Sequence, residues 1–253
     1  MLIDSNKKQL IDGFTLYISE MFDSEWRMNH LQLLNNFEED AWNKEMIDRW
    51  YKSLEDGDPD YDIYKSSFFL VAGMYCYIKY TRNYIKQLYK NKITNEILSS
   101  CKTIVDVGNG TGHSTKALSE CFENVEVCGT NINPSYQYQH NQYLQNKMIE
   151  LSNQQIDCFI FFEFMEHIYN PIEYINNIIQ VHKPKVLVFA NSFNTRCIGH
   201  FKEYDCYGTI IDQKKISRKF NEKLRQLGYK QIKAGLWNNR PSVWTNQVEA
   251  SAS

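Results

Sequence analysis

Thr103-Ile104-Val105-Asp106-Val107-Gly108-Asn109-Gly110-Thr111-Gly112-His113-Ser114-Thr115 is the stretch on which the reading of this chain turns. A short β-branched run leads directly into glycines at 108, 110 and 112, and a helical stretch, Ser114 to Cys121, comes next. Glycine reaches positive φ and lets backbone N–H groups approach a ligand where a side chain would collide. The start of the next helix adds unpaired donors and positive partial charge. A loop of this kind suits a pyrophosphate or an amino-acid carboxylate.

Outward from the loop, strands and helices alternate. Asn124 to Thr130, Asp157 to Phe162 and Lys185 to Ala190 read as further strands, the second of them fully apolar like a buried parallel strand. Tyr136 to Lys147 and Pro171 to Val181 read as the helices between them. This alternation predicts an α/β, doubly wound, mostly parallel sheet. Ile216, Phe220, Leu224 and Leu227 then form one helical face, stopped by Gly228. Two last strands, Lys230 to Trp237 and Ser242 to Val248, are joined by Asn238 to Pro241 as an antiparallel hairpin. Residues 1–98 read as helices throughout, broken at Asp56-Gly57-Asp58-Pro59-Asp60, with a long helix expected from Lys65 to Lys90. They form an N-terminal helical cap, and 99–250 form the main domain.

Net charge is −2 over 253 residues, with both signs mixed along the chain. No basic stripe is visible, which disfavours nucleic acid as a partner. Seven scattered cysteines, never in a C-x-x-C pair, favour a reducing compartment and no structural zinc. The longest apolar run, Phe68 to Ile78, is far short of the roughly 20 residues that span a bilayer. The N-terminus has no charged-then-apolar layout, so a cytoplasmic location without membrane attachment is expected. Ala250 to Ser253 reads as a frayed tail.

The dinucleotide pattern G-x-G-x-x-G fits the loop poorly, because the third glycine comes one residue early. Asp106 stands two residues before the first glycine, where a carboxylate can pair with a ligand ammonium that NAD lacks. At these residues the sequence resembles the class I S-adenosylmethionine-dependent methyltransferases, whose first motif is an acid followed by G-x-G-x-G. The resemblance covers about residues 101–248. It implies a seven-stranded sheet with an antiparallel C-terminal strand, and S-adenosylmethionine as cofactor with S-adenosylhomocysteine as product. Asp106, Gly108, Gly110 and Gly112 would then hold the cofactor. Phe162 to Pro171 is similar to the small-molecule branch, where E-H-x-x-x-P is frequent; this places Glu163 near the cofactor and Glu166-His167 at the next turn.

His167 reads as a general base or as a helix-capping residue. The position after the second strand, usually an acid for the ribose hydroxyls, holds Asn131, which predicts weaker cofactor affinity. Asn133 to Asp157 is short for a helix plus a third strand, so the adenine partner is taken from Glu150, Ser152 and Asn153. Tyr77, Tyr80 and Tyr84 share a helical face that is packed core or a wall of the acceptor pocket. Arg196, His200 and Lys202 lie after the strand ending at Ala190; they form a solvated loop or bind an anionic acceptor, with His200 as a second candidate base. No [DNS]-P-P-[YFW] and no Pro-Cys pair occurs, which points away from nucleic-acid methylation. O- or N-methylation of a small polar metabolite, such as a sugar or a phosphate- or carboxylate-bearing compound, is therefore expected. A non-catalytic methyltransferase-like subunit and another S-adenosylmethionine-consuming reaction are the alternatives.

Overall fold

The computed structural model describes residues 1–236 and 240–246. Trp237 to Asn239, within the expected hairpin, and the tail from Gln247 lie outside the described residues. Among the described residues no helix is long and apolar enough to cross a membrane.

Helices occupy the first 99 residues. α1 (Lys7–Met21) starts on a reciprocal pair of hydrogen bonds between Asn6 and Gln9, which satisfies two otherwise orphaned N–H groups. α2 (Ser24–Asn35) and α3 (Ala41–Glu55) start on Asp23 and Asp40 side chains in the same capping role. The expected long helix is present but interrupted. α4 (Ser67–Cys76) passes through a π-helical segment, Tyr77–Thr81, into α5 (Arg82–Lys90), and then comes α6 (Lys92–Ser99). A π turn adds a residue per turn and rotates everything after it.

The α/β part alternates as the sequence predicts: β1 (Thr103–Val107), α7 (His113–Cys121), β2 (Glu126–Thr130), α8 (Tyr136–Tyr143), β3 (Cys158–Phe162), α9 (Pro171–His182) and β4 (Val186–Ala190). Then come β5 (Glu203–Cys206), β6 (Thr209–Asp212), α10 (Gln213–Gln226), β7 (Tyr229–Gln231) and β8 (Ser242–Asn246). The main sheet runs β2-β1-β3-β4-β8-β7. The first four strands are parallel, and β8 is antiparallel to both neighbours. β1 steps one way along the sheet to β2, while β3 steps the other way to β4. Right-handed crossovers in opposite directions put α7 and α9 on opposite faces, which is what doubly wound means.

Among the described residues the sheet has six strands, and the expected seventh is not among them. Beyond β2, where a further edge strand would lie, there is one parallel bridge, Gly129 to Met148. Two hydrogen bonds hold it, Gly129 N–H to the Lys147 carbonyl and Ile149 N–H to the Gly129 carbonyl. The segment after α8 is too short and too polar (Gln145-Asn146-Lys147, then Ser152-Asn153-Gln154-Gln155) to extend the pairing. The β5–β6 hairpin lies in a stretch for which the sequence offered no strand reading. Its two-residue turn, Tyr207-Gly208, has positive φ at both positions, the requirement for a tight hairpin turn matched to strand twist.

One continuous cluster of buried apolar residues extends from Ile3 to Trp244. It includes Phe14, Trp50 and Leu70 of the N-terminal helices together with Ile104, Phe159 and Leu187 of the sheet.

Candidate active site

Between β1 and β3 the chain reverses its direction across the sheet, and ligands of open α/β sheets bind outside the strand ends at such a point. The glycine loop sits there. All three glycines have positive φ, of 62°, 53° and 83°, but they are required for different reasons. A Cβ at Gly108 would lie 2.2 Å from the Phe164 ring, and one at Gly112 would lie 2.2 Å from Asn141 Oδ1. Gly110 is open by comparison, its nearest neighbours being at 3.8 Å, among them the Cα of Gly73 in α4.

Side chains from the segment after β2 take the carbonyl oxygens of the loop. The Gly110 carbonyl accepts from Asn131 Nδ2 at 2.7 Å and Asn141 Nδ2 at 3.0 Å. That of Thr111 pairs with His140 Nδ1 at 2.6 Å, and that of Gly112 accepts from Asn146 Nδ2 at 2.8 Å. Among the described residues no hydrogen bond reaches the N–H groups of Gly110, Thr111 or His113. The loop is held by its acceptors, and these donors are left without a partner among the described residues.

Asp106 lies inside β1, 1% exposed, in register with Gly129 on β2 and Ile160 on β3. The hydroxyls of Ser114 and Thr115 both donate to its Oδ2, at 2.6 and 2.9 Å, tying the first turn of α7 to the strand. Burial raises its pKa to about 6 even though those two bonds favour the charged form.

Glu163 comes directly after β3 with φ of 46°, a left-handed conformation that costs a non-glycine residue about 1–3 kcal/mol and persists only where surroundings enforce it. Its Oε1 accepts from the Tyr84 hydroxyl at 3.1 Å and from Arg240 at 3.3 Å, and Oε2 accepts from the Ser192 hydroxyl. Arg240 also donates to Ser192 Oγ at 2.7 Å. Glu166 is fully buried in the turn Met165–His167. One of its oxygens accepts from Ser192 N–H at 2.6 Å; the other has no partner among the described residues. Burial, with Glu163 nearby, pushes its pKa well above the usual carboxylate range.

His167 packs against Tyr64, Phe69 and His200. The Tyr64 hydroxyl donates to the Gly199 carbonyl at 3.2 Å, so its oxygen is the acceptor for His167 Nδ1, also at 3.2 Å. That chain places the proton of the neutral ring on Nδ1 and leaves Nε2 as the basic nitrogen. Gly199 permits the approach, since a Cβ there would lie 2.4 Å from both His167 Nδ1 and the Tyr64 oxygen. Burial, then the neighbouring His200, holds the His167 pKa well below its usual value. His200 is buried, with Nδ1 on the Thr195 carbonyl at 2.8 Å, and burial lowers its pKa to about 4.

Other expected residues are placed elsewhere. Arg196 pairs with Asp48 at 2.8 Å and Lys202 with Glu55 at 3.1 Å, both exposed and both over the Tyr51 ring. They bind the loop to α3 and do not converge on His167 or Glu163. The π segment separates the three tyrosines: Tyr77 packs on His113, Tyr84 reaches Glu163, and Tyr80 lies with Tyr75 and Lys79. Glu150 is exposed, two residues past the Met148 bridge. Asn131 is turned into the loop. Tyr64, Gly73 and Asn141 were not legible as site residues, because nothing local in their segments distinguishes them.

The methyltransferase domain family matches residues 77–240. No curated protein matches the sequence significantly. Among solved structures, the chain is similar to PigF, crystallised with S-adenosylhomocysteine (10% identity, TM-score 0.57, 84% of this chain and 72% of that one). It is similar also to human N-acetylserotonin methyltransferase in complex with S-adenosylmethionine (11%, 0.54, 86% and 69%). A third is the mitomycin 7-O-methyltransferase MmcR (11%, 0.54, 81% and 68%). At these identities the likeness speaks for the fold. The family match spans well over half of the chain and takes in the glycine loop, the Glu163 turn and Arg240, so this chain belongs to the methyltransferase domain family.

Proposed function

We propose that the chain is an S-adenosylmethionine-dependent methyltransferase acting on an oxygen or nitrogen of a small polar acceptor. One observation carries this reading: the buried Asp106 carboxylate is tied to the Ser114 and Thr115 hydroxyls, directly after a loop whose Gly110, Thr111 and His113 N–H groups have no partner among the described residues. The donors suit a carboxylate and the acid suits an ammonium, the two charges of an amino-acid end. A pyrophosphate would meet Asp106 as a like charge.

The bound cofactor supplies a methyl group already activated on a sulfonium. What remains for the protein is alignment, exclusion of water and acceptance of a proton. His167 is the base of this proposal: its Nε2 takes the proton of an acceptor hydroxyl or amine, and Tyr64 fixes the tautomer through Nδ1. His200 backs the His167 ring. Glu163, locked by Tyr84, Ser192 and Arg240, shapes the mouth. The helices before residue 99 form the lid of the acceptor site through Tyr64, Phe69 and Tyr84. Because Arg196 and Lys202 are spent on Asp48 and Glu55, the acceptor is a neutral, hydroxyl- or amine-bearing molecule such as a sugar, in preference to an anion. Seven free thiols, most of them buried, suit a reducing cytoplasm.

The test is calorimetry with S-adenosylmethionine and S-adenosylhomocysteine, then a screen of polar acceptors for S-adenosylhomocysteine release. Binding plus acceptor-dependent release supports the enzyme. Absence of binding sinks the cofactor assignment and leaves a non-catalytic subunit. Release without any acceptor indicates a different reaction on the same cofactor.

A further inference from the structure

In the proposed cofactor site, on which this inference rests, Asn131 stands where an acid would receive the ribose hydroxyls. Its geometry does not fit that task. Both amide hydrogens are used, on the Gly110 carbonyl at 2.7 Å and on Asn109 Oδ1 at 3.2 Å. Its oxygen accepts from Ile132 N–H at 2.8 Å. The orientation is fixed by its partners: reversing the amide would set oxygen against the Gly110 carbonyl and a donor against the Ile132 N–H.

The neighbours extend the pattern. Asn109 Nδ2 donates to Thr115 Oγ1 and to Asn141 Oδ1, both at 2.7 Å. Asn141 Nδ2 donates to the Gly110 carbonyl at 3.0 Å, and Asn146 Nδ2 donates to Asn141 Oδ1 at 2.9 Å and to the Gly112 carbonyl at 2.8 Å. Asn109 and Asn141 are buried. Four side-chain amides thus form one network whose outputs are the carbonyls of the glycine loop. An amide suits this place because it donates to a carbonyl while accepting from an N–H; a carboxylate only accepts.

We propose that Asn131 is a positioning residue that latches the glycine loop and does not receive the ribose hydroxyls. An acid at 131 would therefore damage the site. Asn131→Asp removes both donors and sets a negative charge against the Gly110 carbonyl and Asn109 Oδ1. Asn131→Ala removes the donors alone.

The first readout is amide hydrogen exchange in the protein without cofactor. Exchange at the bonded amides of Gly108, Asn109 and Gly112 is expected to quicken by about tenfold in Asn131→Ala and by more in Asn131→Asp, the scale of a lost hydrogen bond to a buried carbonyl. Unchanged exchange in Asn131→Ala overturns the latch whether or not the cofactor binds. The second readout is calorimetry with S-adenosylhomocysteine and its 2′-deoxy analogue. The affinity lost on removing the 2′-hydroxyl should be the same in wild type and Asn131→Ala. If that loss disappears in the variant, or if Asn131→Asp binds S-adenosylhomocysteine more tightly than wild type, Asn131 receives the ribose and the proposal is wrong. If wild type binds neither compound, the cofactor reading fails and the exchange experiment alone decides the latch.

Discussion

At Asp106, stability and binding pull in opposite directions. Burial raises the carboxyl from 3.8 to about 6, so the folded chain holds that proton more tightly than the unfolded one. The contribution to stability is then favourable in acid and is lost as pH rises from about 3.8 through 6. Above that window the ionised group costs about 3 kcal/mol. Asp106→Asn keeps an oxygen for the hydroxyls of Ser114 and Thr115 and removes the charge. It is expected to raise the melting temperature at pH 7.5, to lose that advantage near pH 4, and to weaken S-adenosylmethionine binding. A melting temperature at pH 7.5 that stays level or falls would show that the charge is not being carried at a loss. Tyr64 makes a separate case. Tyr64→Phe frees the His167 ring to take the other tautomer, so kcat should fall by about tenfold while S-adenosylhomocysteine affinity holds; equal loss in both would mean that Tyr64 only packs. The acid and the glycines were legible because loop chemistry is local. Tyr64 was not, since its role depends on Gly199, 135 positions away.

Among the elements, the α4–π–α5 helix does most to complete the site, and it was the least accurately foreseen. Helical spacing put Tyr77, Tyr80 and Tyr84 on one face, but the π segment at Tyr77–Thr81 rotates Tyr84 toward Glu163 and leaves Tyr80 among Tyr75 and Lys79. A π turn has no sequence signature comparable to a glycine loop, so regular periodicity misplaces every residue beyond it. The same helix touches the loop at Gly73, where a Cβ would lie 2.8 Å from Gln137 Nε2 and 3.2 Å from Thr111 Cγ2. Gln137 is anchored on the Phe69 carbonyl at 2.7 Å, so it cannot yield freely. Gly73→Ala should cost about 1–3 kcal/mol of stability by overpacking and weaken cofactor binding, as denaturant titration and calorimetry would show. Stability at or above the wild-type value would mean that α4 sits further from the loop. The Arg196–Asp48 and Lys202–Glu55 pairs were equally illegible, because which way a loop cation turns is decided by acids on α3, 148 and 147 residues earlier in the chain.

For the molecule as a whole, the distribution of histidines sets the response to acid. His30, His113, His140, His167 and His200 are all held below the ordinary histidine value, chiefly by burial. The unfolded chain therefore takes up protons first, near 6.5, and stability falls from there toward about 4, where His140 and His200 titrate in the fold. Asp106 and Glu166, whose carboxyls burial raises, act in the opposite sense, but they are two groups against five. His140 and His200, which titrate near 4 in the fold, should each withdraw on the order of 2 kcal/mol by pH 5. The denaturant midpoint is thus expected to drop between pH 7.5 and pH 5 with an unchanged slope; a midpoint that rises would refute the burial of these rings. The alternation of strands and helices was readable because β-branched runs and their spacing are strong signals. The seventh strand was not, because the resemblance supplied an edge that the polar segment around Asn146 cannot form.

Asn109 precedes Gly110, and that dipeptide carries a chemical liability. In a flexible chain the glycine N–H nitrogen, unhindered by a side chain, attacks the asparagine carboxamide, expels ammonia and, after water adds, leaves an acid. Inside the fold the Asn109 amide is gripped by Thr115 and Asn141 and cannot swing toward that nitrogen. The bonds that shape the binding loop therefore also set its shelf life. Peptide mapping after prolonged incubation should find position 109 intact in native protein and converted in urea.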